Sequence, residues 1–480
     1  MICDMWQGQK GHNMLTYSFE NVGSVSLYEY LYRCIRDDIL AGRLAPDEKL
    51  PSKRTFAAHL GVSVITVETA YAQLIAEGYL YSRPRCGFFV ERLAPQSRSA
   101  QPMTAVSIPQ EQREQWNSDF VTNRIPPENF PFSTWSRLLR SVLSEQGEEL
   151  MQPSSVQGRP ELQQAIAQHL YSFRGMDVRP EQIVIGAGTE YLYGLLVQLL
   201  GRELCYGVEE PGYQKPAQIY RSNGARCVSV PMDECGVRAD ELNKKGVDIL
   251  HISPSHHFPT GVVMPVTRRR EILNWCAAEE EHYVLEDDYD CEFRASGRPI
   301  PTLQSIDTAD RVIYINTFSK TLASAIRISY MVLPLSLVDA FRRKLGFYSC
   351  TVSVFDQLAL AAFIREGLFE KHINRMRSHY RIQRDRILQR LRESELAPFL
   401  TVRMENEGLH FLLEVQGVRQ DADLLAAAKE NGVRISCLSQ YYAGMPDCGH
   451  VIVVNYAGVS DKNIEAAVDA LLRTIAAARQ

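Results

Sequence analysis

The stretch Tyr314-Ile-Asn-Thr-Phe-Ser-Lys320-Thr-Leu-Ala-Ser-Ala-Ile-Arg327 decides how the rest of the chain is understood. The apolar, β-branched run from Val312 to Ile315 predicts a buried strand, and the strand ends in a polar turn carrying one lysine ahead of small, helix-compatible residues. A lysine there is costly to bury unless its amine has a partner, and a carbonyl cofactor that condenses with it removes the charge by chemistry. Arg327 presents a planar fork of donors suited to a phosphate. Taken alone, the same residues also fit an ordinary surface loop. The other strand ends separate the two readings.

At 480 residues the chain exceeds what one core usually organises, so two or three domains are expected. A net charge of -5 leaves no general footprint for nucleic acid or an anionic membrane, so any DNA contact must be local. The 11 cysteines, an odd number without C-x-x-C pairs, read as reduced thiols of a cytoplasmic protein and imply no zinc site. No apolar run approaches membrane-spanning length, and Met1 to Asn13 lacks the apolar core of a signal peptide. Neither secretion nor a membrane location is expected. Met1 and Met14 stand as alternative starts.

From Ser26 to Leu40, the residues Leu27, Tyr30, Leu31, Cys34, Ile35, Ile39 and Leu40 recur at helical spacing, and Gly42 ends the helix. Leu44 to Pro51 is a turn, after which Ser52 caps a short helix, Lys53 to Leu60. Gly61-Val62-Ser63 turns into a third helix, Val64 to Gly78, with Val67, Ala70, Tyr71, Leu74 and Ile75 inward. Two short helices joined by a glycine turn can set a helix N-terminus in a major groove. Tyr79 to Val90 reads as a hairpin with arginines at its tip, a wing.

This order, namely Leu50-Pro-Ser-x-Arg54, Leu60-Gly-Val-Ser63, Thr66-Val67, Ala70-Tyr71, Leu74, Gly78 and Gly87-x-Phe-Val90, resembles the GntR-type winged helix. The resemblance implies double-stranded DNA as a partner, contacted by Arg54, Thr66 and the wing residue Arg85. Val64 stands where that family commonly has arginine, so one usual polar contact is missing. Charges between Ser26 and Leu93 nearly balance, and specific binding then rests on dimerisation and a few groups. A helical dimerisation module without DNA binding is the alternative.

Leu93 to Trp116, rich in Pro, Ser, Gln and Ala, reads as a linker. From Asp119 onward, helical and β-rich runs alternate, the signature of an α/β fold with a mostly parallel sheet. Gly158-Arg-Pro-Glu-Leu162 opens a helix, and Gln182-Ile-Val-Ile-Gly186-Ala-Gly-Thr-Glu190 is a strand running through a glycine turn into another. Such a turn offers backbone N–H groups to a phosphate, or carries glycine for geometry alone. Glu209-Glu-Pro-Gly-Tyr213 leaves an aromatic on a loop, where it either stacks on a flat ring or joins the core. His251-Ile-Ser-Pro-Ser-His-His-Phe-Pro-Thr-Gly261 ends another strand, and its His256 and His257 lack carboxylate or cysteine partners at metal spacing, so no metal is expected. Tyr283-Val-Leu-Glu-Asp287-Asp-Tyr289-Asp ends a strand in acids, which need a cation or donor to be buried, and a protonated pyridine nitrogen would serve.

Each of these groups follows an expected strand, on the side where α/β sheets place ligands. The order Gly188-Thr189, Pro211-Gly-Tyr213, Pro259-Thr-Gly261, Asp287-x-Tyr289, Ser319-Lys320, Arg327 resembles the fold-type I pyridoxal-phosphate aminotransferases. Joined to the winged helix, the architecture resembles the MocR-type regulators of the GntR superfamily. The fold implied is multidomain: a winged helix-turn-helix, an α/β aminotransferase-like domain, and a smaller C-terminal α+β lobe. Expected boundaries are 1–23 for an N-terminal extension, 24–92 for the winged helix, 93–117 for the linker and 118–480 for the aminotransferase-like domain.

The resemblance also implies roles. Lys320 would condense with pyridoxal 5'-phosphate, Asp287 would keep its ring nitrogen protonated, and Tyr289 would bond its phenolic oxygen. Gly188, Thr189, Thr317 and Arg327 would cradle the phosphate, and Tyr213 would stack on the ring. Lys215 falls where some relatives contact an effector carboxylate. Departures separate sensor from enzyme. Val453, in Val451-Ile-Val-Val-Asn455-Tyr456, stands where such aminotransferases usually hold an arginine that clamps the substrate carboxylate. Ser329, and Gln163 with Gln164, are further departures. The implied function is a cytoplasmic, homodimeric transcriptional regulator whose aminotransferase-like domain senses pyridoxal phosphate, an amine or an amino acid. An aminotransferase with an accessory domain, and an inert structural dimer, are the alternatives.

Overall fold

The computed structural model describes residues 15–19, 25–93, 116–122, 124–145, 147–293, 300–405, 408–444 and 448–479. Both alternative starts and most of the expected linker lie outside the described residues. The chain divides into two compact units, one within residues 1–112 and one within 113–480.

In the first unit, α1 (Leu27–Leu40) turns Leu31, Ile35 and Ile39 into a core shared with α2 (Lys53–Leu60) and α3 (Val64–Ala76). Serines cap the second and third helices: Ser52 Oγ accepts from the Thr55 N–H at 3.2 Å, and Ser63 Oγ from that of Thr66 at 3.1 Å. Each cap satisfies a donor that the first turn leaves open, worth about 1 kcal/mol. Gly61, between them, takes φ +67, a left-handed turn that a side chain would strain. The segment expected as a plain turn also holds a strand, β1 (Lys49–Leu50), antiparallel to β3 (Gly87–Val90), which pairs with β2 (Leu80–Arg83). Two residues are too few to show alternation, so sequence periodicity cannot find this edge.

The second unit opens with β4 (Ser118–Asp119), α4 (Phe132–Glu145) and α5 (Pro160–Arg174). Then follow β5 (Ile183–Gly186), α6 (Thr189–Leu200), β6 (Cys205–Glu210), α7 (Gln214–Ser222), β7 (Arg226–Asp233), β8 (Gly236–Val237) and α8 (Asp240–Lys245). Next come β9 (Ile249–Ile252), α9 (Val266–Ala278), β10 (Tyr283–Asp287), α10 (Leu303–Ile306), β11 (Val312–Thr317), β12 (Ser329–Val332), α11 (Leu335–Leu345) and α12 (Val354–Arg365). These strands form one sheet in the order β5-β12-β11-β10-β9-β6-β7-β8. Neighbours from β11 through β7 run parallel, whereas β12 is antiparallel to both β11 and β5. The C-terminal ends of β5, β6, β9, β10 and β11 therefore share one edge, as α/β ligand sites require.

Both faces of the sheet are covered. Ile185 and Tyr314 face one core, and Val184, Ile313 and Ile315 the other, which accounts for unbroken apolar runs in place of alternation. After β11 the small, helix-compatible residues form no helix; Phe318 to Ile326 is a succession of turns. The register explains this, because Thr317 pairs with Ser329 and the intervening residues must reverse the chain. The long α13 (Leu368–Arg392) leads to an α+β lobe: β13 (Leu400–Arg403), β14 (His410–Val415), α14 (Asp421–Glu430), β15 (Val433–Arg434), β16 (Val451–Asn455) and α15 (Ile464–Ala478). Its sheet has the order β13-β14-β16, and β15 pairs with β4. Among the described residues no helix is long and apolar enough to cross a membrane.

Candidate functional site

The acids at the end of β10 meet a separate answer each. Glu286 accepts from the N–H groups of Leu303 and Gln304 at 2.8 and 2.9 Å, and burial pushes its carboxyl up to about 7. Asp288 receives Arg174 Nη2 at 2.6 Å and the Tyr314 hydroxyl at 2.9 Å. Asp290 lies 2.8 Å from His256 Nδ1. Asp287 accepts from the Tyr193 hydroxyl through Oδ2 at 2.5 Å, and His251 Nε2 stands 3.4 Å from the same oxygen. Tyr220 holds the other nitrogen of His251 at 2.7 Å. Asp287 Oδ1 is buried without a partner among the described residues. A carboxylate oxygen in that state calls for a donor from a bound molecule.

A second cluster forms where α6 begins. Gly188, its N-cap, has φ +96, and a Cβ there would fall 2.3 Å from Arg327 Nη2. Only glycine lets that guanidinium lie against the helix start, where backbone donors and the helix dipole already favour a phosphate. Glu190 in the first turn bridges two cations: Lys215 Nζ at 2.6 Å and Arg327 Nη2 at 3.4 Å. The sequence reading did not single out Glu190, although it follows the quoted Gly188-Thr189. Thr317 is buried, its hydroxyl accepting from Ser329 Oγ at 2.8 Å and from the Ser319 N–H at 3.1 Å. Ser329, a departure from the resemblance, thus fixes the orientation of Thr317. Gln163, another, ties α5 to the sheet through the Ile183 carbonyl at 2.8 Å.

Lys320 follows β11 directly, and its amine makes no hydrogen bond among the described residues. Burial lowers its pKa from the ordinary lysine value, while the charge of Asp290 opposes that shift. Beside it, Ser319 Oγ is buried and has no partner among the described residues. The Tyr289 hydroxyl lies 3.4 Å from His256 Nδ1. Tyr213 is 52% exposed at the start of α7, which excludes the core reading; its ring meets Phe258 edge-on at 6.2 Å.

The fold gives both loop histidines the carboxylate neighbours that local spacing lacked. His256 has Asp290, and His257 Nε2 lies 3.5 Å from Glu209 Oε2. The second contact is not an ion pair: burial pulls His257 down to about 3 and pushes Glu209 up to about 8, so both are neutral near pH 7. Among the described residues no three ligand side chains are placed to hold a metal. Val453 is fully buried in β16 among Leu412, Leu438 and Val451, an apolar setting for the position where a carboxylate clamp was looked for.

The residues named for DNA belong to the first unit. Arg54 on α2 is exposed, and Thr66 lies in the first turn of α3. Arg85 is exposed at the hairpin tip with φ +64, in a turn closed by the Cys86 N–H to the Arg83 carbonyl at 3.0 Å. Neither Arg54 nor Arg85 forms a hydrogen bond or ion pair among the described residues. Lys53 is committed to Glu68 at 2.6 Å.

A winged helix-turn-helix on one chain with an α/β unit of aminotransferase architecture defines a DNA-binding regulator built on an enzyme frame. The profile of the bacterial regulatory proteins of the gntR family matches residues 27–90, and that of aminotransferase class I and II matches residues 128–471. The uncharacterized HTH-type transcriptional regulator YdeL of Bacillus subtilis is 38% identical over 93% of this chain and 96% of its own. The probable rhizopine catabolism regulatory protein MocR of Rhizobium meliloti is 34% identical over 93% of each chain. Kynurenine aminotransferase of Pyrococcus horikoshii, solved in complex with PMP, aligns at a TM-score of 0.66 and 24% identity, covering 76% of this chain and 92% of that one; this likeness shows the fold. The chain belongs to the MocR-type HTH transcriptional regulators, which join a gntR-family domain to an aminotransferase-like domain.

Proposed function

We propose that this transcriptional regulator binds pyridoxal 5'-phosphate at Lys320 and uses its aminotransferase-like unit as a sensor of that cofactor, or of an amine or amino acid that reacts with it. The observation that carries the reading is the orphaned Oδ1 of Asp287, held rigid by Tyr193 and His251, at the sheet edge that also bears Lys320 and the Gly188–Arg327 cradle. A protonated ring nitrogen supplies the missing donor. The phosphate would take the α6 N-terminus at Gly188 and Thr189, with Arg327 and the Thr317 hydroxyl. Tyr289 would meet the phenolic oxygen, and Tyr213 would cover the ring from the rim.

Bound there, the cofactor supplies an aldehyde and an electron sink. Lys320 contributes an amine that burial helps to keep unprotonated and therefore nucleophilic. Lys215 would meet an effector carboxylate by leaving Glu190, whose charge it now shares with Arg327. Val453 argues against turnover, since a buried valine cannot orient a substrate carboxylate. Retention of Lys320, Asp287 and Tyr289 supports the second reading, an aminotransferase, and sustained keto-acid formation from any amino acid would favour it.

We infer a homodimer as the working form. Phe347 is 76% exposed and packs its ring 4.3 Å from that of Tyr348, itself 37% exposed, an apolar patch suited to a second copy. Action on DNA implies the cytoplasm. The test is to add pyridoxal phosphate to the purified chain, reduce with borohydride and map the adduct by mass spectrometry. A phosphopyridoxyl group on Lys320, and none at that position in Lys320→Ala, is expected. No stable adduct on Lys320 overturns the proposal.

A further inference from the structure

The outward face of α3 carries no basic residue. The whole helix reads Val64-Ile-Thr-Val-Glu-Thr-Ala-Tyr-Ala-Gln-Leu-Ile-Ala76, and its inner face is completed by Val67, Ala70, Tyr71 and Leu74. What remains outside begins with Val64, 42% exposed, and Ile65, 72% exposed and the most open large apolar side chain among the described residues of the first unit. Thr69 and Ala72, one and two turns on, continue the same stripe and are exposed too. The one acid on this face, Glu68, is neutralised by Lys53 Nζ at 2.6 Å, and Gln73 is held by Glu77 at 2.5 Å.

We infer that Val64 and Ile65 read thymine, packing on the 5-methyl groups of A·T pairs in the major groove. Bidentate reading of guanine needs arginine or lysine, and α3 has neither. The thymine methyl is the apolar feature of a base edge in that groove, and the first turn of the second helix of a helix-turn-helix is the part that meets base edges. The cationic contacts are left to residues off this helix, Arg54 on α2 and Arg85 on the wing, which fits phosphate positioning by those two and base discrimination by α3. A stripe of two large apolar side chains also has a reason to stay exposed in the free protein if it is buried on the operator.

The test uses the full chain and a duplex recovered from genomic fragments by binding selection. Each thymine in turn is replaced by deoxyuridine, which removes the methyl and leaves base pairing unchanged. Affinity is expected to fall about fourfold for each methyl that packs on the helix. With Ile65→Ala, which changes an exposed side chain and leaves the core of the unit intact, the same substitutions are expected to cost nothing further at the thymines that Ile65 covers. Val64→Ala is the second variant, expected to erase the dependence at a neighbouring thymine. Equal affinity for thymine and deoxyuridine duplexes overturns the inference, as does an equal loss in wild type and both variants, or a recovered site without thymine in its half-sites.

Discussion

At the scale of the residue, the proposed cofactor site centres on Asp287. One oxygen is fixed by a tyrosine and a histidine, and the other is buried with no donor among the described residues. A charge-assisted bond to a ring nitrogen is worth about 1.5–3 kcal/mol, so Asp287→Asn is expected to weaken pyridoxal phosphate binding about 10- to 100-fold, read by absorbance titration. Glu209 gives a prediction in pH. Burial pushes its folded pKa up to about 8 from the ordinary carboxylate value of 4.5, so the folded state holds a proton that the unfolded state loses between those values. Stability from this group is therefore present at low pH and lost as pH rises through that window. In Glu209→Gln the melting temperature is expected to fall less between pH 5 and pH 8.5 than in wild type, as followed by calorimetry. Equal slopes would remove Glu209 as a source of the dependence. Lys320 and Asp287 were legible in the sequence as charged residues just past or at the end of apolar runs, and Arg327 as a guanidinium seven residues beyond Lys320. Tyr193, His251 and Glu190 were not, because what they do depends on partners such as Asp287, 94 residues from Tyr193.

At the scale of the element, caps and periodicity made the helices legible: α2 runs over the residues expected, from a serine cap to a left-handed glycine. The short β1 was not, since it is too brief for a pattern; the polar turn after β11 was read, but not its continuation up to Ile326, which pairing between Thr317 and Ser329 dictates. The β2–β3 hairpin holds a non-glycine residue, Arg85, at φ +64. Arg85→Gly is expected to raise the stability of the unit by about 0.5–1 kcal/mol while weakening DNA binding, two opposite shifts that denaturation and binding titrations resolve. Loss of both stability and affinity would contradict that division. The end of β10 is tied to α5 by Arg174 and Asp288, whose side chains are 2% and 1% exposed. Arg174→Met leaves a buried carboxylate uncompensated and is expected to cost about 3–5 kcal/mol in chemical denaturation.

At the scale of the whole molecule, the two-part organisation was legible because each part carries an ordered set of motifs. The pair proposed as a dimer contact was not: nothing in the sequence marks Phe347 and Tyr348 as exposed, and only the fold shows that exposure. For the homodimer proposed above, Phe347→Asp is expected to halve the mass found by light scattering, and an unchanged mass would overturn this contact. In the proposed function, a cofactor site built on Lys320 governs the hold on DNA. The direct measurement is the affinity of the full chain for its selected duplex, titrated with pyridoxal phosphate, in wild type and Lys320→Ala. Affinity is expected to change with the cofactor in wild type and to stay constant in the variant. The same affinity in both proteins at every cofactor concentration would contradict that function.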